Sequence, residues 1–102
     1  MKKITLFIGL NDKDTKTQII NTSEAIEILS SYIVKNLGIG TLSEAAGIYT
    51  HDNGETVSEK TIRAEFYTDD VNAIKGFAEF AKIALNQESI SLEVSHPEIQ
   101  FI

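Results

Sequence analysis

Residues 2 to 10 alternate, with Ile4, Leu6, Ile8 and Leu10 on one side and Thr5, Phe7 and Gly9 on the other. That is the two-residue period of a strand with one aliphatic face. Asn11-Asp12-Lys13-Asp14 then breaks the alternation with side chains that bond their own backbone in turns. Thr15 to Ile20 shows no clear period and reads as an extended or irregular link. The period next becomes helical: Ile26, Leu29, Ile33 and Leu37 recur on one stripe with Val34 beside them. Asn21-Thr22-Ser23-Glu24 resembles a capping box, Asn21 accepting from first-turn amides and Glu24 reaching back. Gly38 stands where a left-handed terminator belongs. The pattern predicts a helix over about 22 to 36.

The second half starts with a hairpin. Two β-prone runs, Gly47 to Thr50 and Val57 to Thr68, flank His51-Asp52-Asn53-Gly54, where Asn-Gly supplies the positive φ angles of a tight reversal. Gly47 inside the first arm suggests a bulge or a close backbone approach. The second arm puts Ile62, Ala64 and Phe66 on one side and Thr61, Arg63, Glu65 and Tyr67 on the other. Asp69-Asp70 offers an N-cap for a second helix with Ile74, Phe77, Ala78, Ala81 and Leu85 on one stripe, ending near Asn86. Ser89 to Ser95 alternates once more, with Ile90, Leu92 and Val94 opposite Ser91, Glu93 and Ser95, until His96-Pro97 interrupts the ladder. Ile99-Gln100-Phe101-Ile102 is apolar enough to be expected to pack.

Strand, helix, strand, strand, helix, strand is the order of an α+β, ferredoxin-like βαββαβ two-layer sandwich, a four-stranded antiparallel sheet with two helices on one face. The pleat then leaves the other face open, carrying Thr5, Phe7, Arg63, Glu65, Tyr67, Ser91 and Glu93, together with Tyr49 and His51. A chain of 102 residues is one domain, 1–102, large enough to bury a core. With 42% hydrophobic and 24% charged residues, it resembles neither a disordered nor a membrane chain.

Charge narrows the function classes. The net charge is −6, and residues 47 to 70 hold six carboxylates against two cations, so the hairpin is the most acidic stretch. Without a Lys/Arg cluster, nucleic-acid binding is disfavoured, and the second arm lacks the Lys/Arg-Gly-aromatic run of an RNA-binding sheet. The chain has no cysteine, which removes disulfides, thiolate metal sites and cysteine nucleophiles. The apolar run after Met1-Lys2-Lys3 ends without a small-residue cleavage site, so a first strand and a cytoplasmic location are expected rather than a signal peptide.

The chemical candidates are sparse. His51 and His96 are the only histidines, and no metal-ligand spacing accompanies them, so no cofactor or metal is expected. His51-Asp52 are turn neighbours that ordinarily face apart. Glu55, Glu59, Glu65, Asp69 and Asp70 are scattered over a hairpin tip, a strand and a helix cap, not held at one separation in a cleft. Gly38-Ile39-Gly40 is too short to cradle phosphate. What survives is the open face, with Phe7, Tyr49, His51, Arg63, Glu65 and Tyr67 as the candidate interface or ligand surface, because soluble monomers seldom leave aromatics bare on a sheet.

Leu6 to Gln18, Gly47 to Gly54 and Leu85 to Ile90 resemble stretches of small uncharacterised proteins encoded by phages, prophages and mobile elements of Gram-positive bacteria. A fainter similarity, in a Gly-containing first strand paired with a Gly-aromatic hairpin, is to a broader family of small domains of unknown function. The resemblance implies a biological setting and carries no residue roles. Two functions are therefore expected in order: protein interaction or self-assembly, a homodimer above all, through the open face; or a small-ligand or enzymatic site there, in which case His51 and Arg63 should share a pocket.

Overall fold

The computed structural model describes residues 1–102. It contains β1 (Lys2–Gly9), α1 (Thr22–Tyr32), β2 (Thr41–Thr50), β3 (Thr56–Thr68), α2 (Val71–Ala84) and β4 (Ser91–Ser95). The strands form one antiparallel sheet in the order β2-β3-β1-β4, the expected ferredoxin-like sandwich. Register explains the layering. Ile4 pairs with Phe66, Leu6 with Ala64 and Ile8 with Ile62, so the aliphatic faces of the two central strands coincide, and a slip of one residue would turn them all outward. Ile4, Leu6, Ile8, Leu29, Ile62, Phe77 and Ala81 are wholly buried between sheet and helices. Each large side chain there contributes about 1.5–3 kcal/mol of burial. Phe77 of α2 meets Phe66 edge-on at 5.3 Å, and Tyr32 stacks on Phe80 at 4.6 Å, which joins both helices to the sheet.

The caps form with one substitution of partner. Asn21 Oδ1 accepts the Glu24 N–H at 2.8 Å, and the Ser23 hydroxyl joins it at 2.8 Å in place of a returning Glu24 carboxylate. Asp70 accepts the Ala73 N–H at 3.0 Å. Asn86, with φ 47°, ends α2 as expected.

Some expectations need correction, and the two alternatives for Gly47 are resolved. The α-helix stops at Tyr32 and widens into a π turn over Ile33–Leu37, closed by the Gly38 N–H on the Ile33 carbonyl at 2.7 Å. Val34, placed beside the core stripe by its spacing, is 78% exposed. Gly47 brings no bulge, since β2 and β3 pair without interruption from Thr41 to Thr50; the close approach is real instead, a Cβ at Gly47 falling 3.0 Å from the Thr61 hydroxyl. The hairpin does not reverse on a two-residue Asn-Gly turn. Residues 51 to 55 form the loop, the His51 N–H reaching the Glu55 carbonyl and the Gly54 N–H the His51 carbonyl, and only Gly54 has positive φ. Asn53 serves through its side chain, accepting the Glu55 N–H at 2.9 Å. Finally, the terminal segment packs only in part: Ile99 is half-buried, whereas Phe101 is 80% exposed and Ile102 fully so.

Candidate functional site

No helix covers the other sheet face, and its residues follow from the register. β1 contributes Lys3, Thr5, Phe7 and Gly9; β3 contributes Glu59, Thr61, Arg63, Glu65 and Tyr67; Tyr49 of β2 stands opposite Val57, and Glu93 of β4 opposite Thr5. Phe7, Tyr49 and Tyr67 are 44–47% exposed. These aromatics are far apart. Tyr49 lies level with Val57, ten residues along β3 from Tyr67, so roughly 33 Å of strand separates them.

Two environments result. At the Tyr67 end, Glu65 accepts from Lys3 Nζ at 2.9 Å and from the Arg63 guanidinium at 2.9 Å. The Lys3 hydrogen bond, opposed by desolvation and helped by the Arg63 charge, holds the Glu65 carboxyl below its ordinary value, and the same bond raises Lys3. Arg63 Nε is buried without a partner. Phe7 stands beside Arg63 in the register, midway along the sheet.

At the hairpin end the surface is concave. A cleft of about 610 Å³ lies among the β1–α1 loop, the β2–β3 hairpin and the segment after α2, bordered by Tyr49, His51, Glu59 and Gln87. The Tyr49 and His51 rings meet edge-on at 5.2 Å. A shallower trough of about 320 Å³ runs from Phe7 over Gly9, Gly47 and Thr61, and it shares Glu59, Gln87 and Ser89 with the cleft. Cleft and trough are thus one groove pivoting on Glu59. The small residues of the floor make that possible: a Cβ on Gly9 would sit 2.6 Å from the Glu59 carboxylate carbon.

The walls are held by polar stitching. Glu59 Oε2 accepts the Asn11 N–H at 2.9 Å, and Gln87 Nε2 donates to the Asn11 carbonyl at 2.8 Å and the Leu85 carbonyl at 3.2 Å. Asn86 Nδ2 donates to Asp12 Oδ1 at 2.8 Å and to Asp14 Oδ2 at 2.9 Å, while its carbonyl takes the Lys13 N–H at 3.0 Å. The Asn86 bond, with the Thr15 and Asp14 amides, lowers the Asp12 carboxyl. Around the cleft stand four carboxylates, Asp12, Glu55, Glu59 and Glu88, against Lys13 and Lys16. The groove favours cations and hydrogen-bond donors. No three His, Asp or Glu side chains come together as a metal site would require.

Of the six residues singled out in the sequence, Tyr49 and His51 border the cleft, Phe7 lines the trough with Arg63 beside it midway along the sheet, and Glu65 and Tyr67 stand toward the far end. His51 and Arg63 therefore share no pocket. Sequence reasoning treated Glu59 as one scattered carboxylate and passed over Asn11, Gln87 and Ser89. The stretches that carry the family resemblance, Leu6 to Gln18, Gly47 to Gly54 and Leu85 to Ile90, supply Asn11, Tyr49, His51, Gln87 and Ser89 to one cleft.

No family model matches this chain, and no curated protein matches it. Among solved structures, a phage SAM lyase in complex with S-methyl-5′-thioadenosine aligns with a TM-score of 0.65 at 16% identity, covering 92% of this chain and 79% of that one. A phage SAM lyase in the apo state aligns at 0.66 and 17%, covering 92% and 78%. The de novo designed protein Foldit4 aligns at 0.54 and 9%, covering 95% and 98%. At such identities the likeness is one of fold.

Proposed function

We propose that this chain is a small-ligand domain of phage relation that takes a cationic nucleoside of the S-adenosylmethionine class into the groove at Glu59. The observation that carries this reading is the groove itself: a 610 Å³ cleft in which four carboxylates outnumber two ammonium groups beside an exposed tyrosine. A volume of that order holds a metabolite. The acidic balance favours a positive ligand, and the Tyr49 ring offers a face to a sulfonium or a base. The ferredoxin-like chain shared with a phage SAM lyase over 92% of this sequence supports the ligand class.

The reaction that fits is intramolecular cleavage of a sulfonium C–S bond: the substrate's own carboxylate forms a C–O bond at the carbon bound to sulfur, closing a lactone, as the C–S electron pair passes to sulfur and leaves a neutral thioether. Such a product loses its attraction to the carboxylates, so binding charge and release charge differ in the direction turnover needs. Glu59 is then a binding and orienting group, because a carboxylate stabilises the sulfonium more than the neutral product. Titration calorimetry with S-adenosylmethionine and chromatographic detection of S-methyl-5′-thioadenosine test the proposal. Binding by the wild type, weakened at least about tenfold by Glu59→Gln at unchanged fold, is the expected result. Absence of binding by either nucleoside at millimolar concentration overturns it.

A second reading, self-assembly or protein interaction through the open face, is favoured by the half-exposed Phe7, Tyr49 and Tyr67. Light scattering at high micromolar concentration distinguishes it, since a monomer there removes a homodimer. The two readings are compatible if the copies meet at the Tyr67 end and leave the cleft open.

A further inference from the structure

Glu59 and Gln87 grip one residue from both of its backbone polar groups: Glu59 accepts the Asn11 N–H and Gln87 donates to the Asn11 carbonyl. The N–H and carbonyl of one residue lie only a few ångströms apart, so the two side chains are brought close to each other where cleft and trough meet. The orientation of the Gln87 amide is fixed by chemistry, because the carbonyls of Asn11 and Leu85 can only accept, and the nitrogen must face both of them. Its oxygen is left over. Gln87 is 8% exposed, yet its Oε1 has no partner within the chain and is not sealed from solvent. Glu59 likewise gives one oxygen to Asn11 and keeps the other. The groove therefore presents two held acceptors, one oxygen each of Glu59 and Gln87, where cleft and trough meet beside Ser89.

Resting on the ligand class proposed above, we infer that Glu59 and Gln87 together recognise a vicinal diol, the 2′- and 3′-hydroxyls of a ribose, each hydroxyl donating to one acceptor. Gln87 is then a specificity-determining residue, selecting ribosides over deoxyribosides and over sugars whose hydroxyls cannot donate side by side. A site built to receive donors discriminates against a ligand lacking them, because its buried acceptors are left unpaired. The single carboxylate contributes the stronger of the two bonds.

The test compares S-methyl-5′-thioadenosine with its 2′,3′-dideoxy analogue by calorimetry on the wild type and on Gln87→Leu, with thermal melting of both proteins as the check on folding. Wild type is expected to bind the riboside about tenfold or more tighter than the dideoxy analogue, and Gln87→Leu is expected to narrow that ratio. Equal binding of both nucleosides by the wild type overturns the diol assignment while leaving the ligand class standing. If neither nucleoside binds, the diol assignment falls, and the ligand class falls with it when S-adenosylmethionine also fails to bind. If Gln87→Leu fails to fold, the wild-type ratio alone decides, and Gln87→Glu, which keeps an acceptor in the groove, is expected to bind the riboside better than the dideoxy analogue.

Discussion

Gly9 has no room for a side chain because the Glu59 carboxylate lies 2.6 Å from where its Cβ would be. Gly9→Ala must push that carboxylate aside, and since the obstacle is the far end of a flexible chain the fold should survive. The expected cost is about 1 kcal/mol for the lost Asn11 bond, with a larger effect on the groove: nucleoside affinity should fall in calorimetry while the melting transition stays cooperative. Glu65 has a pH signature of its own. Its folded value lies below the ordinary 4.5, with the Lys3 hydrogen bond the main cause, so its stabilisation is present above that value and is lost as pH falls through the depressed one. Glu65→Gln should lower unfolding free energy near neutrality by about 1 kcal/mol. In urea titrations the gap from wild type should close below pH 4 or so, the acid side of the carboxylate range. Lys3, raised by the same bond, adds stability that fades only above its ordinary 10.5.

Among the elements, the junction after α2 matters most for the groove. Asn86 holds a left-handed φ of 47° and spends its amide on Asp12 and Asp14, thereby fastening the β1–α1 loop to the helix end. Asn86→Ala loses both bonds and keeps the backbone strain, an expected loss of about 2 kcal/mol. Asn86→Gly loses the bonds without the strain, so it should be the milder of the two in chemical denaturation. Both should loosen Asn11, visible as faster exchange of its amide. The Asp70 cap on α2 is a simpler case, with Asp70→Ala expected to cost about 1 kcal/mol and to leave the groove untouched, because that end of the helix points away from Gln87.

For the whole molecule, Phe77 is the keystone between layers, fully buried and in contact with Phe66 of the sheet and Tyr32 of α1. Phe77→Ala should cost about 3–5 kcal/mol, a large share of what a domain of this size has. Its melting temperature and its nucleoside binding should fall together, whereas Gly9→Ala separates them. No helix is long and apolar enough to cross a membrane, and the sheet face that no helix covers carries half-exposed aromatics.

Periodicity alone determined the element order, the two apolar stripes and the inner faces of β1 and β3, because burial on one side of a strand or helix leaves a local, repeating trace. The caps at Asn21 and Asp70 and the stop at Asn86 were equally legible, since each depends on side chains within three or four residues of the backbone they serve. Local reasoning failed where one extra hydrogen-bond step changes geometry without changing composition, as in the π turn over Ile33–Leu37 and the five-residue loop that replaces the Asn-Gly reversal. The groove was out of reach for a different reason. Glu59 meets Asn11 across 48 positions and Gln87 meets it across 76, and no spacing rule joins residues so distant. The face carrying Tyr49 and His51 was visible in the alternation, but only tertiary structure could decide that their end of it is concave and acidic, while Arg63 and Tyr67 belong to another neighbourhood.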